Sequence, residues 1–330
     1  MTQLNVFITR HLPVALDPLR QIATVDVWSK RQPPPYEVLL EKVQTVDGLL
    51  CLLTDRIDRQ LIAAAPALKV ISQMAVGYDN IDMLAASEQG IPVGHTPGVL
   101  TDATADFTWA LLMAAARRIV EADRFVRGGQ WQTWEPDLLL GATVAGATLG
   151  IVGLGRIGQA MARRAQGFGM RILYTSRQRR SLELEQGLGA TFVLFEQLLQ
   201  ESDFVTIHTP LSKETERLFC DRTFQQMKSS AILINTARGP IVDPDALYRA
   251  LIAGQIAGAA LDVTDPEPIP PENPLLQLNN LVLAPHIGSA SRQTREKMAT
   301  MAIANLIAGL KGHPLPHCAN PDVYRTASID

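Results

Sequence analysis

The sequence predicts an α/β protein with two doubly wound domains, each built on a parallel sheet. Short runs of apolar, often β-branched residues alternate with helix-length segments throughout the chain. This alternation is typical of parallel strands whose sheet is covered by helices on both faces. The pattern restarts after about residue 100, and a chain of 330 residues has room for about two domains.

The first unit is predicted to hold five strands, followed by a long helix. The strands are Val6–Ile8, Thr24–Val27, Gly48–Leu53, Val70–Gln73 and Pro92–Gly94. The helix runs from Thr101 to about Arg127, and Thr101 or Asp102 can cap it by accepting hydrogen bonds from free helix amides. Gly128 and Gly129 form a natural stop. The Ala-, Leu- and Met-rich middle of the helix favours burial, between domains or between subunits.

The second unit is predicted to hold six strands and a returning helix. The strands are Thr148–Val152, Arg171–Tyr174, Phe204–Ile207, Ala231–Asn235, Ala257–Leu261 and Asn280–Ala284. The helix at about Ala290–Leu310 is expected to lead the chain back to the first domain. The predicted domains are therefore residues 1–100 plus 288–330, which bind the substrate, and residues 101–287, which bind the cofactor.

Charge and cysteine content argue against several classes of partner. The 30 basic and 33 acidic residues leave no basic excess to neutralise a phosphate backbone, so nucleic acid is not expected as a partner. Three cysteines without a C-x-x-C pair predict neither a metal site nor a disulfide framework, and they fit a reducing cytoplasm. Because we find no leader peptide and no apolar run of about 18 residues, we expect a cytoplasmic protein that does not contact membranes.

A glycine-rich turn follows the first strand of the second unit. Gly153, Gly155 and Gly158 have G-x-G-x-x-G spacing between an apolar strand and a helical segment. In that context the spacing predicts a dinucleotide-binding, Rossmann-like turn. Gly153 permits a tight turn, Gly155 lets backbone amides approach a pyrophosphate, and Gly158 lets the helix pack on the strand. The helix N-terminus adds N–H donors and positive partial charge.

The segment after the next strand predicts which cofactor is bound. NAD sites usually place an Asp or Glu there to bind the ribose 2′-hydroxyl group. This segment carries no carboxylate and instead contains Ser176, Arg177, Gln178, Arg179 and Arg180. Arginine binds phosphate through charge-assisted pairs of hydrogen bonds, whereas a carboxylate would repel it. We therefore predict NADPH as the preferred cofactor, with NADH possible but weaker.

Three chemically complementary residues follow three other predicted strands. Arg238, Glu267 and His286 are expected at the carboxyl edge of the sheet, where ligands bind in open parallel sheets. Arg238 can polarise a ketone and pair with a carboxylate. His286 can donate a proton as hydride arrives, while Glu267 keeps the imidazole charged and oriented. This trio predicts a carbonyl reduction.

Besides the glycine turn and these three residues, further sequence motifs occur along the whole chain. They are Gly48–Asp55, Val76–Asn80, Thr96–Asp102, Trp131–Pro136, Thr236–Gly239, Leu261–Pro268 and Pro285–Ser289. From about Val6 to Pro316 the chain resembles the D-isomer-specific 2-hydroxyacid dehydrogenases, and within them the glyoxylate/hydroxypyruvate reductases. The resemblance implies two flavodoxin-like domains with a cleft between them for cofactor and substrate. It also implies a homodimer.

The resemblance assigns roles to individual residues. Val76 and Gly77 match the backbone amides that bind the substrate carboxylate, and Arg238, Glu267 and His286 match the catalytic residues. The remaining substrate residues would be Ser289, Leu53, Leu100 and Trp134, the last reaching into the neighbouring subunit's pocket and narrowing it. The cofactor would contact the glycine turn with Arg156 and Ile157, the loop of residues 176–180, Thr209 and Pro210 on the adenosine side, and Thr236, Ala237, Asp262 and Gly288 near the nicotinamide.

The resemblance implies that glyoxylate is reduced to glycolate, or hydroxypyruvate to D-glycerate. Several sister activities remain open, namely D-lactate-type, phosphoglycerate-type and phosphite-oxidising dehydrogenases. A phosphite-oxidising enzyme would need an additional cationic side chain in the site that binds the substrate anion. Position 76 in that site offers only its backbone and an apolar side chain, which disfavours this activity. The alternative that is not an enzyme is a transcriptional corepressor that binds a dinucleotide as a sensor.

Overall fold

Parallel strands form two separate sheets, which confirms the predicted fold class. The computed structural model describes residues 3–326, and the chain divides into two structural units. One unit contains the residues up to Leu100 together with those from Ala290 onward, and the other contains Thr101–Ser289. Gly288 and Ser289 therefore lie in the second unit, whereas the predicted boundary placed them in the first.

The first unit has a five-stranded sheet with the order β2-β1-β3-β4-β5, in which every pairing is parallel. Its strands are β1 (Leu4–Ile8), β2 (Ala23–Val27), β3 (Gly48–Cys51), β4 (Val70–Gln73) and β5 (Val93–Gly94), and its first helices are α1 (Asp17–Arg20), α2 (Tyr36–Val43), α3 (Arg59–Ala63) and α4 (Met83–Glu88). β3 and β4 are buried along their whole length, as expected for central strands covered on both faces. Asp58 and Asp82 cap α3 and α4.

The second unit has a seven-stranded sheet with the order β12-β11-β10-β9-β6-β7-β8, again entirely parallel. Its helices are α5 (Thr101–Ala116), α6 (Ile119–Arg127), α7 (Arg156–Gln166), α8 (Leu182–Leu188), α9 (Phe195–Glu201), α10 (Asp221–Phe224) and α11 (Pro244–Ile252). Its strands are β6 (Thr148–Val152), β7 (Arg171–Thr175), β8 (Ala190–Phe192), β9 (Phe204–Ile207), β10 (Ile232–Asn235), β11 (Gly258–Leu261) and β12 (Leu281–Leu283). The strand order reverses between β6 and β9, which creates the switch point where nucleotides bind in such sheets.

The prediction of one helix from Thr101 to Arg127 is wrong, because α5 and α6 are separate helices. Arg118 lies between them with φ of 51°, in the left-handed region. The carbonyl oxygen of Ala116 accepts a hydrogen bond from the amide of Ala142, 2.7 Å away, so a distant segment satisfies the end of α5. A residue 26 positions downstream thus ends the helix, and local sequence carries no sign of it.

Two smaller differences also have local causes. β3 ends at Cys51 rather than Leu53, because the Leu52 amide donates to the carboxylate of Asp55 and the chain turns there. β8 is an additional strand, which sequence reasoning missed because it is three residues long and lies at the sheet edge.

The chain returns to the first unit through α12 (Arg292–Leu310), after which α13 (Val323–Thr326) follows. α12 packs against β3 and β4, and Met298, Ala302 and Leu306 contribute to the core on that face of the sheet. α5 instead lies in the core of the second unit, against α7 and β10. No helix in residues 3–326 is long and apolar enough to cross a membrane.

Candidate active site

Glycines shape the turn between β6 and α7. Gly153 has φ of +98°, and a Cβ there would lie 2.6 Å from the carbonyl oxygen of His208. A Cβ on Gly158 would lie 2.2 Å from the Gly153 carbonyl oxygen. Gly155 differs, because an added Cβ there would have no atom within 4 Å. Gly153 and Gly158 are therefore required by the fold, whereas Gly155 leaves open space beside the turn.

The N-terminus of α7 presents backbone amides to that space. Its N-cap is Gly155, so no side chain satisfies the first turn. The first intrahelical hydrogen bond runs from the Gln159 amide to the Gly155 carbonyl, which leaves the amides of Arg156 and Ile157 at the helix end. Such an end, with its positive partial charge, suits a pyrophosphate. The residues present thus fit the predicted dinucleotide, and Thr209 lies beside the turn at the end of β9.

The loop after β7 is held by a buried tyrosine and glutamate. The hydroxyl of Tyr174 donates to Glu185 Oε1 at 2.6 Å and accepts the amide of Arg180 at 2.9 Å. Arg179 donates to both carboxylate oxygens of Glu185, at 2.9 and 2.8 Å. These hydrogen bonds, with that of Arg179 the largest cause, lower the pKa of Glu185 to about 2.

The arginines of this loop are therefore not equivalent. Arg179 pairs with Glu185, and Arg180 Nε donates to the carbonyl oxygen of Leu154 in the glycine turn at 3.1 Å. Ser176 donates its hydroxyl to the Gln178 carbonyl. Arg177 is exposed, and within residues 3–326 its guanidinium makes no hydrogen bond or ion pair. Of the three arginines in this loop, Arg177 is therefore the one that could bind a phosphate without breaking a hydrogen bond or close ion pair within residues 3–326, and its charge also acts on the carboxylate of Glu214.

Arg238 lies on a tight turn after β10. The side chain of Asn235, fully buried, accepts the Ala237 amide at 2.9 Å and donates to the Arg238 carbonyl oxygen at 2.9 Å. Gly239 follows, and a Cβ there would lie 1.9 Å from the carbonyl oxygen of Thr264. The loop of Arg238 and the loop leading to Glu267 are thus packed against each other. Sequence reasoning missed Asn235, although a polar residue ending an apolar strand is a usable signal.

The loops after β11 and β12 bring Glu267 and His286 together. His286 Nδ1 lies 2.6 Å from Glu267 Oε1, and both side chains are only partly exposed. In the loop after β11, the peptide bonds that precede Pro266 and Pro268 are both cis. The backbone of His286 is left-handed, with φ of 56°. The side chains predicted to act as proton donor and supporting carboxylate therefore meet in the structure.

Asp262 anchors the loop that carries His286. Its backbone oxygen accepts the His286 amide at 2.8 Å, and its two carboxylate oxygens accept the amides of Ile287 and Gly288, each at 2.7 Å. Burial is the largest influence on this carboxyl and raises its pKa, which the two amides oppose. A Cβ on Gly288 would lie 3.0 Å from Asp262 Oδ2, so the small residue permits this contact. The structure shows Asp262 supporting the loop, and its contact with the cofactor stays a prediction.

The predicted residues of the first unit follow the central strands β3 and β4. Val76 and Gly77 are half-buried and lie just after β4. Leu53 follows β3, and the side chain of Asn80 donates to the Leu52 carbonyl oxygen, so the two segments are joined. Leu100 is half-buried and packs against the core on the α12 side of the sheet.

Other predicted residues stand apart from these clusters. Thr236 Oγ1 lies 2.8 Å from Thr108 Oγ1 of α5, so this hydroxyl is tied to a helix. Pro210 is exposed and its carbonyl accepts the Thr215 hydroxyl. The side chain of Trp134 is 78% exposed. Within residues 3–326 it makes no hydrogen bond to the predicted pocket residues of its own chain.

Comparison with known proteins identifies the family. The model of the D-isomer specific 2-hydroxyacid dehydrogenase NAD-binding domain matches residues 109–288. The chain is 53% identical over 328 residues to glyoxylate reductase from Thermococcus litoralis, covering 98% of both chains, and 52% identical over 323 residues to that from Korarchaeum cryptofilum, covering 97% of both.

A solved structure shows the same fold over the full length. The NADPH-dependent glyoxylate/hydroxypyruvate reductase from Sinorhizobium meliloti, in complex with NADP and malonate, matches with a TM-score of 0.84 and 30% identity, covering 97% of this chain and 98% of that one. With the family model and the reductase relatives, this makes the protein an NAD(P)-dependent oxidoreductase. The chain belongs to the D-isomer-specific 2-hydroxyacid dehydrogenase family.

Proposed function

We propose that this enzyme reduces small 2-oxo acids with NADPH, converting glyoxylate to glycolate and hydroxypyruvate to D-glycerate. The observation that carries the proposal is the pairing of His286 with Glu267 beside the loop of Arg238. A carbonyl reduction needs a proton donor, a carboxylate that keeps the donor charged, and a cation that polarises the carbonyl. The relatives named glyoxylate reductase support glyoxylate as a substrate of this enzyme. The name of the Sinorhizobium meliloti glyoxylate/hydroxypyruvate reductase supports hydroxypyruvate as a second substrate.

His286 is the proposed general acid. Because Glu267 holds Nδ1, Nε2 is the ring atom that would donate a proton to the carbonyl oxygen of the substrate. Arg238 would polarise that oxygen and pair with the substrate carboxylate. The bound dihydronicotinamide supplies the hydride for the carbonyl carbon, so the 2-oxo acid is reduced to a 2-hydroxy acid and NADPH is oxidised to NADP⁺.

Each unit has its own proposed contribution to substrate binding. The first unit would bind the substrate carboxylate through the amides of Val76 and Gly77, and Leu53 and Leu100 would line the pocket with apolar surface. The second unit would contribute Ser289 besides the catalytic residues. An apolar lining separates substrates that differ by one small group by only about 1–3 kcal/mol. Both glyoxylate and hydroxypyruvate are therefore expected as substrates.

The preference for NADPH rests on the loop after β7. Thr175 and Ser176 stand where an NAD site would carry a carboxylate, and Arg177 is exposed beside them. Arg177 would bind the 2′-phosphate directly, with Arg179 and Arg180 shaping the loop. The remaining proposed cofactor contacts are Thr209 and Pro210 at the adenosine side, and Thr236, Ala237, Asp262 and Gly288 at the nicotinamide end.

We also propose a homodimer formed by the second unit. No residue of α6 is buried, and its Ile119 and Val126 are both 52% exposed. Trp134 and Leu140 add exposed apolar surface. A groove of about 520 Å³ lies along α5, α6 and β12 of the same unit. Apolar patches of this kind usually mark contacts between proteins, and a second copy would bury the same patch on both chains.

The experiment that tests the proposed function measures initial rates at the nicotinamide absorbance band. NADPH and NADH are each paired with glyoxylate, hydroxypyruvate and pyruvate. We expect the highest kcat/KM with NADPH and the first two acids. A strong preference for NADH would contradict the role of Arg177, and turnover confined to pyruvate would indicate a D-lactate-type enzyme. Absence of turnover with all six pairs would contradict the function itself.

A further inference from the structure

Three successive carbonyl groups after β4 are each held by a different partner. The carbonyl oxygen of Ala75 accepts the amide of Thr96 at 2.8 Å. The carbonyl oxygen of Val76 lies 3.1 Å from Nδ1 of His95, and that of Gly77 accepts a hydrogen bond from Nε2 of Gln73 at 3.3 Å. The second partner is a ring nitrogen and the third a side-chain amide, so side chains hold two of these three carbonyls.

Fixing a carbonyl also fixes the next amide. In a trans peptide the C=O and N–H groups are coplanar and point in opposite directions. Because Thr96 holds the carbonyl of residue 75, the N–H of Val76 points away from it. His95 likewise sets the direction of the Gly77 N–H. Within residues 3–326, neither of these two amides donates a hydrogen bond. They are oriented donors without a protein acceptor, which is the character of an anion-binding backbone.

Gln73 is itself held in one orientation. It is fully buried, and its Oε1 accepts the thiol of Cys51 at 3.1 Å. Its Nε2 donates to Oδ1 of Asn80 at 2.6 Å as well as to the Gly77 carbonyl. Asn80 in turn donates to the carbonyl oxygens of Leu52 and Asp55, at 3.1 and 2.8 Å. A buried amide whose donors and acceptor are all paired is rigid, because rotation would leave polar groups unsatisfied.

His95 is also positioned by its surroundings. Its ring contacts that of Tyr78 edge to face, with centroids 5.5 Å apart. Its carbonyl oxygen accepts the side-chain amide of Asn305 at 3.0 Å, which ties this segment to α12. Since a carbonyl oxygen can only accept, the contact with Val76 requires the proton on Nδ1 of the imidazole.

We propose that His95 and Gln73 are positioning residues for the segment whose Val76 and Gly77 amides take the substrate carboxylate. His95 orients the Gly77 amide by holding the Val76 carbonyl, and Gln73 fixes the peptide that follows Gly77 by holding the Gly77 carbonyl. The inference rests on the proposed function, because it assigns these amides the carboxylate of a 2-oxo acid. Donors that are oriented before binding lose little conformational freedom when the anion arrives, so they bind it more tightly. The two side chains thereby act on substrate affinity without touching the substrate.

The test uses steady-state kinetics of the full-length enzyme with glyoxylate and NADPH, and inhibition by oxalate. Gln73→Met keeps the length of the side chain and removes its donors, and His95→Ala removes the ring. We expect each to raise the KM for glyoxylate and the Ki of oxalate about tenfold, with kcat reduced at most about threefold. The KM for NADPH should stay within about twofold, because its site lies elsewhere. His95→Asn, which retains a donor, should recover most of the affinity.

Ser72→Ala is the matched control. Ser72 precedes Gln73 on β4, is equally buried, and donates to the Ala302 carbonyl at 2.8 Å on the other face of the sheet. It should lower Tm as the test variants do but leave the KM for glyoxylate unchanged. Unchanged KM and Ki in folded Gln73→Met and His95→Ala, or an equal rise in Ser72→Ala, would overturn the proposal. If Gln73→Met does not fold, the KM for glyoxylate and the Ki of oxalate are compared among the wild type, His95→Ala and His95→Asn, and that comparison decides.

The wild-type enzyme separates the two proposals. If it turns over glyoxylate while the variants keep its KM, the positioning role is wrong and the proposed function stands. If it reduces another 2-oxo acid instead, the same variants are measured with that acid, since the carboxylate is shared. If it reduces no 2-oxo acid and does not bind oxalate, both proposals are wrong.

Discussion

Nδ1 of His286 lies 2.6 Å from Oε1 of Glu267, although the two residues are 19 positions apart and come from different loops. Asp262 binds three consecutive backbone amides of the His286 loop and so fixes where the imidazole stands. Because Glu267 holds Nδ1, Nε2 is the ring nitrogen that would face the substrate in the proposed mechanism. A surface ion pair would need neither the buried carboxylate of Asp262 nor the left-handed backbone at His286.

The first prediction concerns this pair. His286→Ala should lower kcat about 10³-fold, and Glu267→Gln about 10- to 100-fold, because the proton donor is lost in the first and poorly oriented in the second. The double variant should be little worse than His286→Ala alone, since both changes remove one function. Stopped-flow and steady-state rates with glyoxylate test this, and the KM for NADPH should barely change. His313→Ala, at an exposed position, is the control, and near-normal kcat in His286→Ala would contradict the assignment.

The second prediction separates the arginines after β7. Arg177→Ala should raise the KM for NADPH about tenfold and leave that for NADH unchanged, because only NADPH carries the 2′-phosphate. Arg179→Ala should raise both KM values by similar factors, because its guanidinium pairs with Glu185 and supports the loop. Initial rates with both cofactors measure the difference. Equal effects of Arg177→Ala on the two cofactors would rule out its contact with the phosphate.

The third prediction concerns the glycine turn. Gly155→Ala should keep Tm within about 2 °C of the wild type and raise the KM for NADPH at least about tenfold, because its Cβ meets only the space proposed for the pyrophosphate. Gly158→Ala should lower Tm by about 5 °C or more, because its Cβ would press on the Gly153 carbonyl. Thermal melts without cofactor, beside kinetics, distinguish the two. A destabilised Gly155→Ala with normal KM would contradict this division.

The fourth prediction is a pH dependence of stability. Desolvation lowers the pKa of His208 from 6.5 to about 3, and its Nε2 lies 2.8 Å from the Thr206 hydroxyl. The unfolded chain therefore binds a proton between about pH 6.5 and 3 that the folded chain does not, so stability falls as pH drops through this window. One such group contributes at most about 1.4 kcal/mol per pH unit.

His208→Asn should reduce this slope. Urea unfolding of the wild type and the variant at about pH 7.5 and about pH 5.5 measures it, with the wild type losing more free energy of unfolding between the two values. His313→Ala controls for the loss of an exposed histidine. If His208→Asn and the wild type lose equal free energy over this interval, His208 is not the group responsible.

The fifth prediction concerns Trp134. If it reaches the substrate pocket of a second copy, Trp134→Ala should weaken the dimer and raise the KM for glyoxylate several-fold, because the pocket becomes wider. Sedimentation velocity and substrate kinetics test the two effects. Leu194→Ala removes a side chain of similar exposure from the same unit and should change neither. Unchanged association and unchanged KM for every substrate in Trp134→Ala would end this interpretation.

Local pattern was sufficient for much of the fold. β6 and β9 have the predicted bounds, because each is a short apolar run bordered by residues that stop a buried strand. The glycine turn could be assigned from spacing, since close backbone approach leaves few alternatives to glycine. Arg238, Glu267 and His286 could be proposed because their chemistry is complementary and each follows a predicted strand.

Tertiary contacts decided what depends on distant partners. The end of α5 depends on Ala142, and the unequal positions of the arginines depend on Glu185 and on the Leu154 carbonyl. Ala142 and Leu154 lie 26 residues from their partners, and Arg179 and Glu185, six residues apart, are not at a spacing that helix or strand periodicity pairs. Hydrogen bonds between residues far apart in sequence form only when the chain has folded, so periodicity cannot report them.

By itself, the sequence determined the class of fold, the dinucleotide turn and the residue types available for catalysis, because these depend on patterns of a few neighbouring residues. Only the tertiary structure decided how those residues are held. It placed the carboxylate of Asp262 against the two amides that follow His286. It also placed the ring of His95 against the carbonyl of residue 76 and the side-chain amide of Gln73 against the carbonyl of residue 77. The reason is physical: a side chain's partners are chosen by which buried polar groups must be satisfied once the sheets have packed.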